Sequence, residues 1–166
     1  MDFFNQTGKL AIGSRLRMLT DKITVDAAAI YKMFGVDLKP KWFPVFFVLS
    51  RGEAKTITSI AKEIGHSHPS VSNIIKEMVA KGLVKETKDK SDGRRNMVML
   101  SAKGKRMSDS FSEQCIDVTA AIEQITQQTR NDLWEAIEEW ENLLLDKSLL
   151  ERVKEAKKER ESKDIK

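Results

Sequence analysis

Hydrogen-bonding side chains are concentrated between Ser67 and Lys76, in the middle of the chain. Apolar residues recur there at three- and four-residue spacing, which is typical of an amphipathic helix with one polar face. Side chains of these polar types bind base edges and phosphates, and an asparagine can donate to and accept from adenine at once. We therefore predict that this face binds DNA through Ser67, His68, Ser70, Ser72, Asn73 and Lys76.

A second short helix is predicted before this one, and a hairpin after it. Thr56 is a suitable N-cap, and Gly65 ends that helix in a sharp turn with positive φ. Strand-like segments at 83–87 and 96–100 flank a polar loop. Two helices, a tight turn and a basic hairpin predict a winged helix-turn-helix over residues 42–100. Further DNA contacts are predicted from Thr56 and from the hairpin residues Lys88, Lys90, Arg94 and Arg95.

The charge distribution is uneven along the chain. Residues 56–106 carry 11 basic and 5 acidic side chains, whereas residues 107–145 carry 1 basic and 9 acidic ones. A basic surface attracts a polyanion and an acidic surface repels it, so residues 56–106 would contact a nucleic acid. Lysines that merely solvate ordinary helix faces explain the same charges equally well, and charge alone leaves both readings open.

Long helices are predicted on either side of this region. The apolar spacing indicates helices over 10–34, from Ser101 to about Thr126, and from Thr129 or Asn131 onward. The last has a broad apolar stripe with Trp134 and Trp140, which suits a dimer interface better than ligand stacking. Within the winged helix-turn-helix region itself, the short and almost wholly apolar segment 42–50 predicts a short buried helix. Residues 154–166 are charged at nearly every position and predict a frayed tail. The predicted fold class is mostly α with a small β-hairpin wing, a winged helix-turn-helix plus long dimerisation helices.

Length and composition exclude several classes of protein. The 166 residues favour a single domain, and one cysteine permits no disulfide within the chain, as expected in a reducing compartment. The longest apolar run, Trp42 to Leu49, is far shorter than the roughly 20 residues that span a bilayer. The first residues lack the pattern of a secretory signal. We expect a cytoplasmic protein with no membrane partner.

The sequence contains no recognisable catalytic or metal-binding constellation. It has no phosphate-binding glycine loop and no dinucleotide fingerprint, so we predict neither an enzyme nor a cofactor. His66 and His68 form an H-x-H pair without a third ligand nearby, which disfavours a metal site. Cys115 lies close to Glu113 and Asp117, whose negative charges would raise the thiol pKa and make it unreactive.

At this point a family resemblance is evident. The run ITSIAKEIGHSHPSVSNIIKEMVAKGLVKETKDKSDGRRNMVMLSAKG resembles the core of the MarR family of regulators. Ser91 stands where the family's wing usually has arginine, and His66 where an apolar residue is preferred. The resemblance rests on Ile60-Ala61, Gly65, Ser67, Val71-Ser72, Lys81-Gly82-Leu83-Val84, Asp89, Asp92, Arg94, Leu100-Ser101 and Lys103-Gly104.

The resemblance implies a homodimeric transcription regulator that binds an approximately palindromic site on double-stranded DNA. Residues 8–35 and 101–153 would form the helical dimerisation region of a single domain spanning 1–166. The chain is also similar to the regulator half of family members fused to an acetyltransferase, although no acetyltransferase follows within these residues. A small-molecule effector often releases such regulators from DNA. Its pocket would be lined by Tyr31, Trp42 and Phe46, which are otherwise simply core.

Two other functions remain open from the sequence. A winged helix can dock on a protein partner instead of DNA, which predicts an exposed apolar patch. The chain could also be a ligand sensor that acts on a partner protein. The polar and basic second helix favours DNA over both alternatives.

Overall fold

The structure is a computed structural model that describes residues 2–88 and 96–163. The predicted fold class is confirmed, because the described residues are mostly helical and contain a two-stranded antiparallel hairpin. Two compact units are distinguished, residues 1–116 and 117–166. The elements are α1 (Asp2–Thr7), α2 (Ile12–Met33), α3 (Phe43–Ser50), α4 (Ile57–Glu63), α5 (His68–Ala80), β1 (Val84–Lys88), β2 (Asn96–Leu100), α6 (Ala102–Gln128), α7 (Leu133–Asp146) and α8 (Leu149–Lys163).

The core of the first unit surrounds α3. This helix is almost wholly apolar, and Pro44 lies in its first turn, where the missing N–H has no helical partner to lose. Trp42, Val45 and Phe46 are almost completely buried. The connector between α2 and α3, residues 34–42, enters the same core through Val36 and Leu38. Helices α3, α4 and α5 thus share one hydrophobic core with the hairpin and the start of α6.

The hairpin forms the predicted wing, with Val84 opposite Leu100 and Lys88 opposite Asn96. A third strand segment joins it: the N–H of Lys55 donates to Val98 O at 2.9 Å, and the N–H of Val98 donates to Lys55 O at 2.7 Å. The predicted loop residues Lys90, Arg94 and Arg95 lie outside the described residues, as do Asp89, Ser91 and Asp92.

The start of α6 is fastened to the end of α5. Ser101 donates its hydroxyl to Gly82 O at 2.5 Å and its N–H to Leu83 O at 2.9 Å. Lys103 Nζ donates to Lys81 O at 3.1 Å. Gly104 then packs so closely on the Leu83 carbonyl that a side chain there would overlap it. The root of the wing and the C-terminal end of α5 are therefore fixed to α6.

The second unit corrects two sequence predictions. Helix α7 is capped by Asp132, whose carboxylate accepts the N–H groups of Trp134 and Glu135, so neither Thr129 nor Asn131 starts it. The predicted frayed tail is wrong for residues 154–163, which belong to α8. Residues 164–166 lie outside the described residues.

Helix α8 is stabilised by local contacts that offset its charged composition. Ser148 and Glu151 form a reciprocal capping box at its start. Arg152 donates to Leu143 O at 2.9 Å and to Lys147 O at 3.1 Å, which satisfies carbonyls at the end of α7. None of the helices in residues 2–88 and 96–163 combines the length and the hydrophobicity that a membrane-spanning segment requires.

Candidate nucleic-acid interface

The turn between α4 and α5 is built by two caps and one glycine. The Thr56 hydroxyl accepts the N–H of Ser59 at 3.1 Å and thereby caps α4. Gly65 has a φ of +67°, a backbone angle that residues with a Cβ rarely adopt. The Ser67 hydroxyl accepts the N–H of Ser70 at 3.4 Å and caps α5. The structure thus assigns structural roles to Thr56 and Ser67, two of the predicted DNA-contacting residues.

Helix α5 has one face in the core and the other in solvent. Val71, Ile74, Ile75 and Met78 are buried. The predicted DNA-contacting residues of this helix all lie off that buried face. His68, Asn73 and Lys76 are exposed, and Ser70 and Ser72 are half-buried.

The polar residues of α5 fall into two rows along the helix. His68, Ser72 and Lys76 are four residues apart and form one row, because such residues lie above one another on a helix. Ser70, Asn73 and Glu77 form a second row on the flank that adjoins the connector. Lys88, the described member of the predicted wing contacts, is exposed at the end of β1.

Glu77, which was not among the residues predicted from the sequence, fastens α5 to the connector. Its Oε1 accepts from Lys41 Nζ at 2.6 Å, and its Oε2 accepts from Trp42 Nε1 at 2.9 Å and from Lys39 Nζ at 3.5 Å. The hydrogen bonds from Lys41 and Trp42 lower the pKa of the Glu77 carboxyl from 4.5 to about 2. We name Glu77 with Lys39, Lys41 and Trp42 the Glu77 clasp.

A cleft of about 300 Å³ lies between α5 and the connector, beside the Glu77 clasp. Pro40, Pro44 and Ile74 form its apolar lining. Its polar lining consists of Lys41, His66, Ser70, Asn73 and Glu77. The cleft therefore brings two predicted DNA-contacting residues, Ser70 and Asn73, together with Lys41, which was not among the residues predicted from the sequence.

His66 occupies the turn without disturbing the core. Its side chain is exposed, its Nδ1 lies 2.8 Å from Ile64 O, and its backbone N–H donates to Ala61 O at 3.0 Å. The departure from an apolar residue at this position is accommodated because the side chain is directed away from the core. Among residues 2–88 and 96–163, no three His, Cys, Asp or Glu side chains are grouped so that they could hold a metal ion.

The three residues predicted to line an effector pocket belong to the hydrophobic core. Tyr31, Trp42 and Phe46 are all buried, and Phe46 packs edge-on against Phe111 at a centroid distance of 4.8 Å. Burial raises the pKa of Tyr31 to about 12, and a hydrogen bond with Gln114 opposes part of this rise. Of the three, none lines the cleft described above, and the effector pocket stays a prediction.

Cys115 is half-buried next to this core. Burial raises the pKa of its thiol, which disfavours the reactive thiolate. The direction agrees with the sequence analysis, but the cause is desolvation and not the carboxylates of Glu113 and Asp117.

Comparisons with known proteins agree on the winged-helix lobe. Residues 36–95 match the MarR family model. No curated protein matches the chain significantly. Many solved structures share the fold, which establishes the winged-helix architecture independently of sequence identity.

Three of these structures illustrate the likeness. The transcriptional repressor CouR bound to a 23-mer DNA duplex is 20% identical, with a TM-score of 0.62 over 84% of this chain and 96% of CouR. Overoxidized AbfR bound to DNA is 17% identical, with a TM-score of 0.64 over 88% and 98%. The PcaV transcriptional regulator from Streptomyces coelicolor, in complex with its natural ligand, is 14% identical, with a TM-score of 0.59 over 82% and 92%.

Proposed function

We propose that this chain is a MarR-family transcription regulator that binds double-stranded DNA sequence-specifically in the cytoplasm. The observation that carries the proposal is the polar outer face of α5, which the Gly65 turn and the two caps hold clear of the core. The match of residues 36–95 to the MarR family and the DNA-bound structures of CouR and AbfR support it.

The mechanism follows from the geometry of α5. A helix held on a steep turn enters the major groove with its first residues at the base edges. Ser70, Ser72, Asn73 and His68 would read bases there, with Asn73 pairing with adenine. Lys76 and Lys88 would bind phosphates, as would the α5 N-terminus around Ser67. From the sequence alone, Lys90, Arg94 and Arg95 are proposed to bind in or beside the minor groove.

A homodimer is the second part of the proposal. Large apolar side chains are exposed on α2 and on α7, and such surfaces on a folded chain are typical of interfaces. Two-fold symmetry would place two copies of α5 about one helical turn of DNA apart, roughly 10 base pairs, on an approximately palindromic site. The exposed residues concerned are Leu16, Leu19 and Ile23 on α2 and Trp134, Ile137, Trp140 and Leu144 on α7.

Release of DNA by a small ligand is the third part. The structure of PcaV with its natural ligand supports it by analogy of fold alone. The predicted pocket residues Tyr31, Trp42 and Phe46 lie in the core against which α5 packs, so an effector there would act on the position of that helix. The likeness to the regulator half of acetyltransferase fusions remains a prediction from the sequence.

Selection of bound sequences from a random duplex library tests the proposal. We expect an inverted repeat to be recovered. Asn73→Ala should lose one base preference worth about 1–3 kcal/mol, whereas Asn131→Ala, which changes a matched exposed asparagine just before α7, should select the same sequence as the wild type.

Recovery of no preferred sequence, with affinity that does not depend on salt, would contradict the proposal. That result would favour a winged helix that docks on a protein partner, or a ligand sensor that acts on a partner protein. Unchanged selectivity of Asn73→Ala beside a recovered inverted repeat would overturn only the assignment of Asn73.

A further inference from the structure

The cleft beside α5 offers hydrogen-bond donors more than acceptors. The Glu77 carboxylate, its strongest acceptor, is already engaged by three donors from Lys39, Lys41 and Trp42. An ammonium group has three N–H donors, and the hydrogen bond to Glu77 uses one of those on Lys41. The Lys41 side chain is 55% exposed, so its other donors remain accessible.

Two further donors lie in the cleft. The Ser70 hydroxyl and the Asn73 amide have no hydrogen-bond partner among the residues that the structure describes. Lys39 does not line the cleft, but its Nζ lies 3.5 Å from Glu77 Oε2, so Lys39, Lys41 and Glu77 together leave one positive charge beside the cleft. Donors in a concave site with a positive charge beside it select an oxyanion, since ionised acceptors make the stronger hydrogen bonds.

The position of the cleft identifies the oxyanion. Ser70 and Asn73 lie both in the cleft and on the face of α5 that is proposed to enter the major groove. A group held beside them would lie at the edge of that groove, where the DNA backbone runs. Phosphate contacts fix the register of a recognition helix on the duplex, and this contact would adjoin the base-reading residues directly.

We propose that the cleft is an oxyanion site in which Lys41 holds a phosphodiester group of the bound duplex, with added hydrogen bonds from the Ser70 hydroxyl and from the Asn73 amide N–H that pairing with adenine leaves free. The inference rests on the proposed function and adds to it the connector as a second DNA-binding element. Glu77 acts as a positioning residue: it orients Lys41 and at the same time limits the positive charge of the site.

The salt dependence of duplex affinity tests this proposal. Each lost phosphate contact makes the slope of log affinity against log salt shallower by about 0.9. The affinity at about 0.15 M salt then falls by about fivefold. We expect Lys41→Gln to cause this change for each protomer bound, equally for the selected and for unrelated duplexes. Lys32→Gln, an exposed lysine near the end of α2, serves as the matched control and should leave the slope unchanged.

Glu77→Gln provides a variant of opposite sign. Its amide oxygen can still accept from Trp42 Nε1, but the negative charge beside Lys39 and Lys41 is removed. We expect tighter binding and a steeper slope for all duplexes. A slope equal to that of the wild type in both variants would overturn the oxyanion site, whereas a wild type that binds no duplex would overturn the proposed function instead.

A titration of the free protein with inorganic phosphate at constant ionic strength distinguishes the two sources of the anion. Perturbation of the Ser70 and Asn73 amide resonances in the wild type, but not in Lys41→Gln, would show that the site also takes the free anion. No perturbation together with the reduced slope of Lys41→Gln would assign the site to the duplex phosphate. If neither the perturbation nor the reduced slope were observed, the oxyanion site would be refuted.

Discussion

Gly104 is the position where a small change should have the largest effect on the structure. A Cβ added there would lie 2.2 Å from Leu83 O, 3.2 Å from Leu83 C and 3.3 Å from Leu100 Cβ. An ordinary carbon–oxygen contact is about 3.3–3.6 Å, so α6 and the start of the wing would have to separate by about 1 Å. The first obstacle is a backbone carbonyl that already accepts the N–H of Ser101, and it cannot rotate away as a flexible side chain would.

The net effect of Gly104→Ala follows from two opposing contributions. Alanine in a helix interior is more favourable than glycine by about 1 kcal/mol. Forcing extra volume into a packed site costs about 1–3 kcal/mol, and a rigid obstacle places this change at the upper end. We expect Gly104→Ala to lower the free energy of unfolding by about 2 kcal/mol and the melting temperature by about 4–8 °C.

Gly13→Ala is the matched control. Gly13 is also helical, in the first turn of α2, but its added Cβ would meet no described atom within 4 Å. There the helix preference acts alone, and we expect unchanged or raised stability, by up to about 1 kcal/mol. Urea and thermal unfolding at matched protein concentration measure both variants. If Gly104→Ala were as stable as Gly13→Ala, the close packing of α6 on Leu83 would be refuted.

Two pH predictions follow from the same structure. Tyr31 is the chain's one tyrosine, so its near-ultraviolet tyrosinate absorbance reports its ionisation directly, with Tyr31→Phe as the blank. Burial raises its pKa from 10.0 to about 12, so the folded state should lose stability as the pH rises through that interval, and a midpoint near 10 in the folded protein would contradict the burial. Glu77 has a pKa lowered from 4.5 to about 2, so its contribution is present above about pH 4.5 and is lost as the pH falls towards 2. The stability difference between the wild type and Glu77→Gln should shrink over that acid interval, and a difference independent of pH would show that the Glu77 clasp does not form in solution.

Local sequence signals were sufficient for α5 and its turn. The caps at Thr56 and Ser67, the positive φ of Gly65 and the buried row of α5 are each decided within a few residues of the chain. The same kind of signal was available for α8, because Ser148 and Glu151 have the spacing of a capping box. The highly charged composition of that segment led to the wrong prediction of a frayed tail.

Contacts between distant segments required the tertiary structure. Glu77 lies 35 residues from Trp42 and 36 from Lys41, and no spacing rule relates residues so far apart. The pairing of Lys55 with Val98 could not be predicted from the sequence either, because one backbone pair leaves no periodic pattern.

The sequence by itself determined which helix carries the polar face, because helix periodicity places every third or fourth side chain on one side. The tertiary structure alone decided what stands beside that face. It brings Lys41 and the cleft beside Ser70 and Asn73, and it packs Gly104 on the Leu83 carbonyl. These arrangements arise from packing between segments that are separate in the chain, where the free energy depends on the fit of surfaces and not on the order of residues.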